Sequence, residues 1–278
     1  MNSVLTFGKE LLTRFRDDDV AGLAAQLAYF FLLSLFPFMI FLLTLLGYLN
    51  IDEERVLAII STYAPPETYD LITENVTSLL KSGSGSLLSI GILGTLWAAS
   101  VGVSAIMRAF NRAHNVEENR PFLVSRFIAI ILTIAMVLVI CIAFLLPVLG
   151  HTAGVFIFSS FGLSDSFIEA WGTLRWAISS IIFFMVLSFL YVTAPSLRLK
   201  YRDAVAGAVF ATVGWQLVSL LFSFYVSSLG NFSAAYGSLG GVIVLMIWFY
   251  LSGIVIILGG EINAMFRRRR RDKKYSGT

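Results

Sequence analysis

Six apolar stretches, each long enough to cross a membrane, constrain this chain more than any other feature. They cover about 23–49, 86–110, 126–149, 172–194, 204–228 and 238–264. A helix rises about 1.5 Å per residue, so crossing about 30 Å of hydrocarbon takes roughly 20 apolar residues. Lipid offers no partners to backbone N–H and C=O groups, so segments of this kind must be helical. The pattern predicts an all-α membrane protein: a single domain over residues 1–278 with six transmembrane helices. Composition agrees, since 58% of the 278 residues are hydrophobic and only 13% are charged. Soluble domains carry about 25% charged residues. The connecting segments leave no room for a separate soluble domain.

The basic residues give an orientation. Seventeen of the 20 lysines and arginines lie before the first stretch, between the second and third, between the fourth and fifth, or after the sixth. Arg55, Lys81 and Arg175 alone fall on the other side. The positive-inside rule therefore places both termini in the cytoplasm. Residues 265–278 read as a basic cytoplasmic tail. Within it Arg267, Arg268, Arg269, Arg270 and Arg271 are expected to contact anionic lipid, at about 1 kcal/mol per residue near the surface. Taken alone, "RRRRRDKK" looks like a nucleic-acid arm. Directly after a membrane helix it is a topology and lipid signal, and no nucleic-acid partner is expected. The first stretch follows Asp17-Asp18-Asp19 and is far longer than a signal-peptide core of about 7–15 residues, so insertion without cleavage is expected.

The first outer segment, 50–85, is acidic. In it Tyr69, Ile72, Val76, Leu79 and Leu80 recur at helical spacing after the Pro65-Pro66 break, predicting a short amphipathic helix over about 66–81. "SGSGS" at 82–86 forms a flexible joint. Small residues four apart, at Gly94-Ala98-Gly102, Gly237-Gly241 and Gly260-Ala264, suit close helix packing within one bundle. A homo-oligomer interface is their second use. "FFLLSLF" at 30–36 and "FFMVLSF" at 183–189 raise an inverted three-plus-three repeat, although apolar helices resemble one another by chance.

Polar groups in the apolar stretches are few. Gln26 lies near the inner end of the first, and Pro37 near its middle, where it removes a backbone donor and kinks the helix. Asn111 ends the second stretch, and Glu261 and Asn263 end the sixth. The topology allows Gln26, Asn111, Glu261 and Asn263 to share a layer near the inner leaflet. One arrangement is a water-filled vestibule with Glu261 as its ionisable group. The other is a clasp in which Glu261 pairs with an arginine, Arg108, Arg112 and Arg120 being the nearby cations. Phe232 and Tyr236 are read as interface anchors, and Trp97, Trp215 and Trp248 as packing. No catalytic constellation, metal site or cofactor site assembles. His114 and His151 fall on opposite faces of the membrane, the lone cysteine is Cys141, and Asp17-Asp18-Asp19 suits the capping of a helix.

Four ordered segments carry a family resemblance. They are "AAQLAYFFLLSLFPF" at 24–38, "LWAASVGVSAIMRAFNRAHNVEENRPFLVSRF" at 96–127, "LYVTAPSLRLKYRDAVAGAVFATVGWQLVSLLFSFYV" at 190–226 and "YGSLGGVIVLMIWFYLSGIVIILGGEINA" at 236–264. Together they resemble the YihY/BrkB family of bacterial inner-membrane proteins over nearly the whole chain. The resemblance implies six membrane helices, a multi-pass inner-membrane location, and roles in the envelope or transport. It does not imply a ribonuclease, a label once attached to the family and now regarded as an error. The expected function is a transporter or translocator of a lipid-like or small-solute substrate. The alternative is a non-transporting envelope scaffold or assembly factor. Neither is an enzyme.

Overall fold

A computed structural model of the chain describes residues 2–48, 73, 77–78, 85–137, 165–228 and 239–275. All regular secondary structure among the described residues is helical. In chain order the helices are α1 (Asn2–Asp17), α2 (Val20–Tyr48), α3 (Gly85–Ala113), α4 (Phe122–Val137), α5 (Asp165–Thr193), α6 (Tyr201–Ser228) and α7 (Leu239–Tyr275). Val20–Leu45, Gly85–Ala113, Tyr201–Val226 and Gly240–Asp272 are each long and apolar enough to cross a membrane. Phe122–Val137 and Ala177–Thr193 are shorter apolar helices. Most of the amphipathic segment 66–81 lies outside the described residues, as do Phe232, Tyr236, Gly237, Cys141 and His151.

Local chemistry sets the helix ends. Asp19 takes a positive φ of 53°, which stops α1. Its carboxylate then accepts a bond from the Gly22 N–H at 3.3 Å, satisfying a free donor in the first turn of α2. Asp19 thus closes one helix and opens the next. At the end of α3, Asn115 adopts φ 52°. The Asn115 N–H reaches the Arg112 carbonyl and the Val116 N–H the Asn111 carbonyl, both at 2.9 Å. This is the double bond pattern by which a left-handed residue terminates a helix.

Residues 2–17 form a helix of their own, which the sequence reading did not predict, and α7 continues past residue 264 through the arginines to Tyr275. Arginine and lysine are good helix formers, and extending an existing helix adds a hydrogen bond for each residue ordered. α1 also braces the extension. The Phe7 ring packs 5.8 Å from that of Phe266, and Arg269 lies over Phe7 while pairing with Glu10 at 3.0 Å.

α2 packs most extensively on α3, α7 on α6 and α2, and α5 on α6. Small residues set these approaches, as membrane helices require. A methyl at Gly91 would strike the Phe41 backbone, and one at Gly102 would crowd Phe31. Gly94 sits against Pro37, which lies inside the unbroken α2. A methyl at Gly241, by contrast, would meet none of the described residues within 4 Å. The buried core runs through Leu27, Val103, Ile106, Phe110, Tyr191 and Ile257. Large apolar side chains such as Phe36, Leu93, Leu123, Leu220 and Phe224 point away from it. In water this surface would be a liability; against lipid it is the proper exterior.

Candidate functional site

The polar chemistry of the molecule gathers where α1, the ends of α3 and α5, the start of α6 and the last third of α7 converge. Glu261 is at its centre, with none of its surface exposed. Arg14 of α1, whose side chain is 12% exposed, donates to Glu261 Oε2 at 3.2 Å and to the Ala113 carbonyl at 3.2 Å. It also lies 3.6 Å from Glu10, one turn earlier on its own helix. One guanidinium therefore joins α1, α3 and α7. Burying two charges is costly and is tolerated only when they are paired and further bonded, and the Ala113 carbonyl supplies the further bond.

The other oxygen of Glu261, Oε1, accepts no hydrogen bond from the described residues. The half-buried Asp18 carboxyl lies within bonding reach of Glu261, but two acids bond only when a proton lies between them. Burial pushes the Asp18 carboxyl above its ordinary value, against the pull of Arg14. Half-buried beside the same cluster, His114 is pushed down to about 4, by desolvation first and then by Arg267 and Arg14.

The remaining sequence candidates separate. Asn111 is 5% exposed and ties two connections together: it donates to Glu118 at 3.0 Å and accepts from the Ser196 N–H at 2.7 Å. Asn263, 2% exposed, accepts from the Gly207 N–H at 2.7 Å and so fastens α7 to α6. Gln26 lies on the exposed side of α2, where it accepts from Arg108. Arg112 reaches the Asp18 carbonyl at 3.4 Å. Arg120 donates to the carbonyls of Thr193, Ala194 and Pro195, closing the end of α5. The ion-pair partner of Glu261 is thus Arg14, in a helix that the apolar pattern did not announce. Arg108, Arg112 and Arg120 are held by other acceptors.

Beside this clasp opens a cavity of about 610 Å³ lined by eight arginine or lysine side chains and one carboxylate, Asp203. Of Gln26, Asn111, Glu261 and Asn263, none is among its lining residues. A smaller apolar cavity, about 90 Å³, lies farther along the bundle between Leu27, Phe31, Phe183, Leu187, Trp215 and Trp248. Trp215 donates to Ser252 at 3.1 Å on its wall. Between the two, Phe110 packs 5.0 Å from Tyr191, and the Tyr191 hydroxyl donates to the Ile256 carbonyl at 2.8 Å. Here α6 and α7 come closest: a methyl on Gly207 would overlap the Gly259 carbonyl. Among the described residues no three His, Cys, Asp or Glu side chains converge to hold a metal ion.

Long apolar helices, an apolar exterior and a polar knot confined to one end define a multi-pass helical membrane protein. Within that class the chain belongs to the virulence factor BrkB family, whose profile matches residues 11–277. It is 51% identical over 267 residues to a ribonuclease-like protein, YfkH, of Bacillus subtilis (strain 168), covering 96% of this chain and 97% of that one. It is 25% identical to a UPF0761 membrane protein of Alteromonas mediterranea, covering 95% and 88%. A UPF0761 membrane protein of Pseudoalteromonas translucida is 27% identical, with 92% and 84% covered. No solved structure matches the chain.

Proposed function

We propose that the chain is a non-enzymatic translocator of a lipid-like or small-solute substrate, crossing the membrane six times with both termini in the cytoplasm. The observation that carries this reading is the apolar cavity inside the bundle, walled by Phe31, Phe183, Trp215 and Trp248 and separated from the basic cavity by the Phe110–Tyr191 layer. At about 90 Å³ this gap is too small to hold a lipid or solute, so it fits the collapsed form of a chamber that alternating access would have to open. The Arg14–Glu261 pair lies on the far side of that layer and ties α1 to α7, so it suits the part of a latch. The complete burial of Glu261 also favours the alternative, a scaffold whose helices stay locked.

Proteoliposome flux separates the two. The purified protein is reconstituted and assayed with labelled lipids, ions and osmolytes. Wild type should show flux of at least one class. Ser252→Phe, which fills the apolar cavity, should abolish it while leaving the ion pair intact. Glu261→Gln should alter it without loss of the folded state, read by thermal melting in detergent. Absence of flux for every substrate class, or flux unaffected by filling the cavity, would sink the translocator and leave the scaffold.

A further inference from the structure

The basic cavity is more than a charged surface. Its walls come from Arg14 of α1, the turn after α3, the connection into α6, and one side of α7 between Ala264 and Arg271. Arg14 is engaged by Glu261, and Arg270 by Asp203 at 3.3 Å and the Arg202 carbonyl at 3.2 Å. For Arg198, Lys200, Arg267, Arg268 and Arg271 no carboxylate among the described residues lies within ion-pair distance. Five cations without counterions among the described residues, turned toward one concave space by two separate segments, repel one another. The fold holds them there by other means: Asp203 accepts from the Lys200 N–H at 3.3 Å and fixes the start of α6, while α1 braces α7.

A volume of about 610 Å³ is far larger than a monatomic anion and falls within the usual range for small-molecule sites. Arginine forks match the oxygens of phosphate in pairs and outnumber lysine here, a composition suited to phosphoryl groups more than to single carboxylates. We infer that this cavity is a binding site for a phosphate-bearing anion, held chiefly by Arg198, Arg267 and Arg271 with Lys200 beside them. Such phosphates come from two sources, the headgroup of an anionic lipid and a soluble phosphate compound, and the cavity chemistry is common to both. The inference stands whether or not the chain transports anything.

His114 supplies a reporter, since it lines the same cavity and the chain has only 2 histidines. Burial first, and then Arg267 and Arg14, hold its imidazole in the neutral form, opposed by Asp203. An anion seated among these arginines cancels their field, so the His114 titration midpoint must rise toward the ordinary histidine value on binding. The full chain, with His151→Gln to leave one histidine, is placed in phosphatidylcholine nanodiscs. Imidazole resonances are followed against pH with inorganic pyrophosphate, and in parallel discs containing phosphatidylglycerol. A saturable rise with pyrophosphate assigns a soluble ligand, and a rise only in phosphatidylglycerol discs assigns a lipid headgroup; either supports the site. Arg198→Ala with Arg267→Ala should weaken binding about tenfold or more. Lys9→Ala with Arg16→Ala removes the same charge from outside the cavity and should leave binding nearly unchanged. Equal weakening by the two pairs, or no saturable change with either probe, overturns the assignment.

Discussion

At the scale of single residues, the most informative atom is Glu261 Oε1, a buried acceptor with no donor among the described residues and a second acid facing it. An unsatisfied buried acceptor costs about 1–3 kcal/mol. Asp18→Asn places an amide donor where the opposing carboxyl stands and removes one charge from an acid pair. At pH 7 it should raise the thermal midpoint of the purified protein, by an amount equivalent to about 1 kcal/mol. A fall instead would mean that the attraction between Asp18 and Arg14 outweighs the repulsion between the acids. The sequence marked Glu261 as unusual because a carboxylate in an apolar run must have a partner. It did not mark Arg14, which lies 247 positions away. A signal existed: Phe7, Leu11 and Phe15 repeat every four residues, the stripe of an amphipathic helix, and Phe15 does pack on the core. Arg14 stands three residues after Leu11 and seven after Phe7, which places it on the same face.

At the scale of helices, length and hydropathy made α2, α3, α6 and α7 plain, because a run of 26 to 33 apolar-rich residues has few other solutions. Helix contacts were less legible. The repeat at Gly94 and Gly102 does face α2, but Gly91, off the four-residue register, meets the α2 backbone more closely. Gly207 and Gly259 also meet closely, and although Gly207 stands four residues before Ala211, that spacing does not name Gly259 as its partner. The reason is physical. Which small residue faces a partner depends on crossing angle and rotation, which a single helix does not encode. The Gly207–Gly259 contact carries a direct prediction. Gly207→Ala forces its methyl into the Gly259 carbonyl, a backbone atom that cannot turn aside. It should destabilise the folded protein by about 1–3 kcal/mol or more, measured as loss of folded protein after mild heating in detergent. Gly241→Ala, whose methyl meets none of the described residues within 4 Å, should have little effect. If both behave alike, α6 and α7 do not meet as described.

At the scale of the whole molecule, basic residues of α1, the α5–α6 connection and α7 line one cavity, and Arg120 of the α3–α4 connection bonds to the end of α5. In a Cys141→Ser background, single cysteines at Lys9, Arg198 and Tyr275 should resist a membrane-impermeant thiol reagent in intact cells and react after permeabilisation. One at Glu67 should react in intact cells. Opposite behaviour of positions 9 and 275 would exclude an even number of crossings. The length of α7 has a mechanical meaning as well. Its 37 residues make an unbroken rod about 55 Å long, against a hydrocarbon layer of about 30 Å. A rod pivoting at the Gly207–Gly259 contact is a lever whose two arms must swing in opposite senses. If α7 tilts there, a movement that widens the apolar cavity at Trp248 would also displace the arginines beyond the pivot, and the two compartments would be linked through leverage.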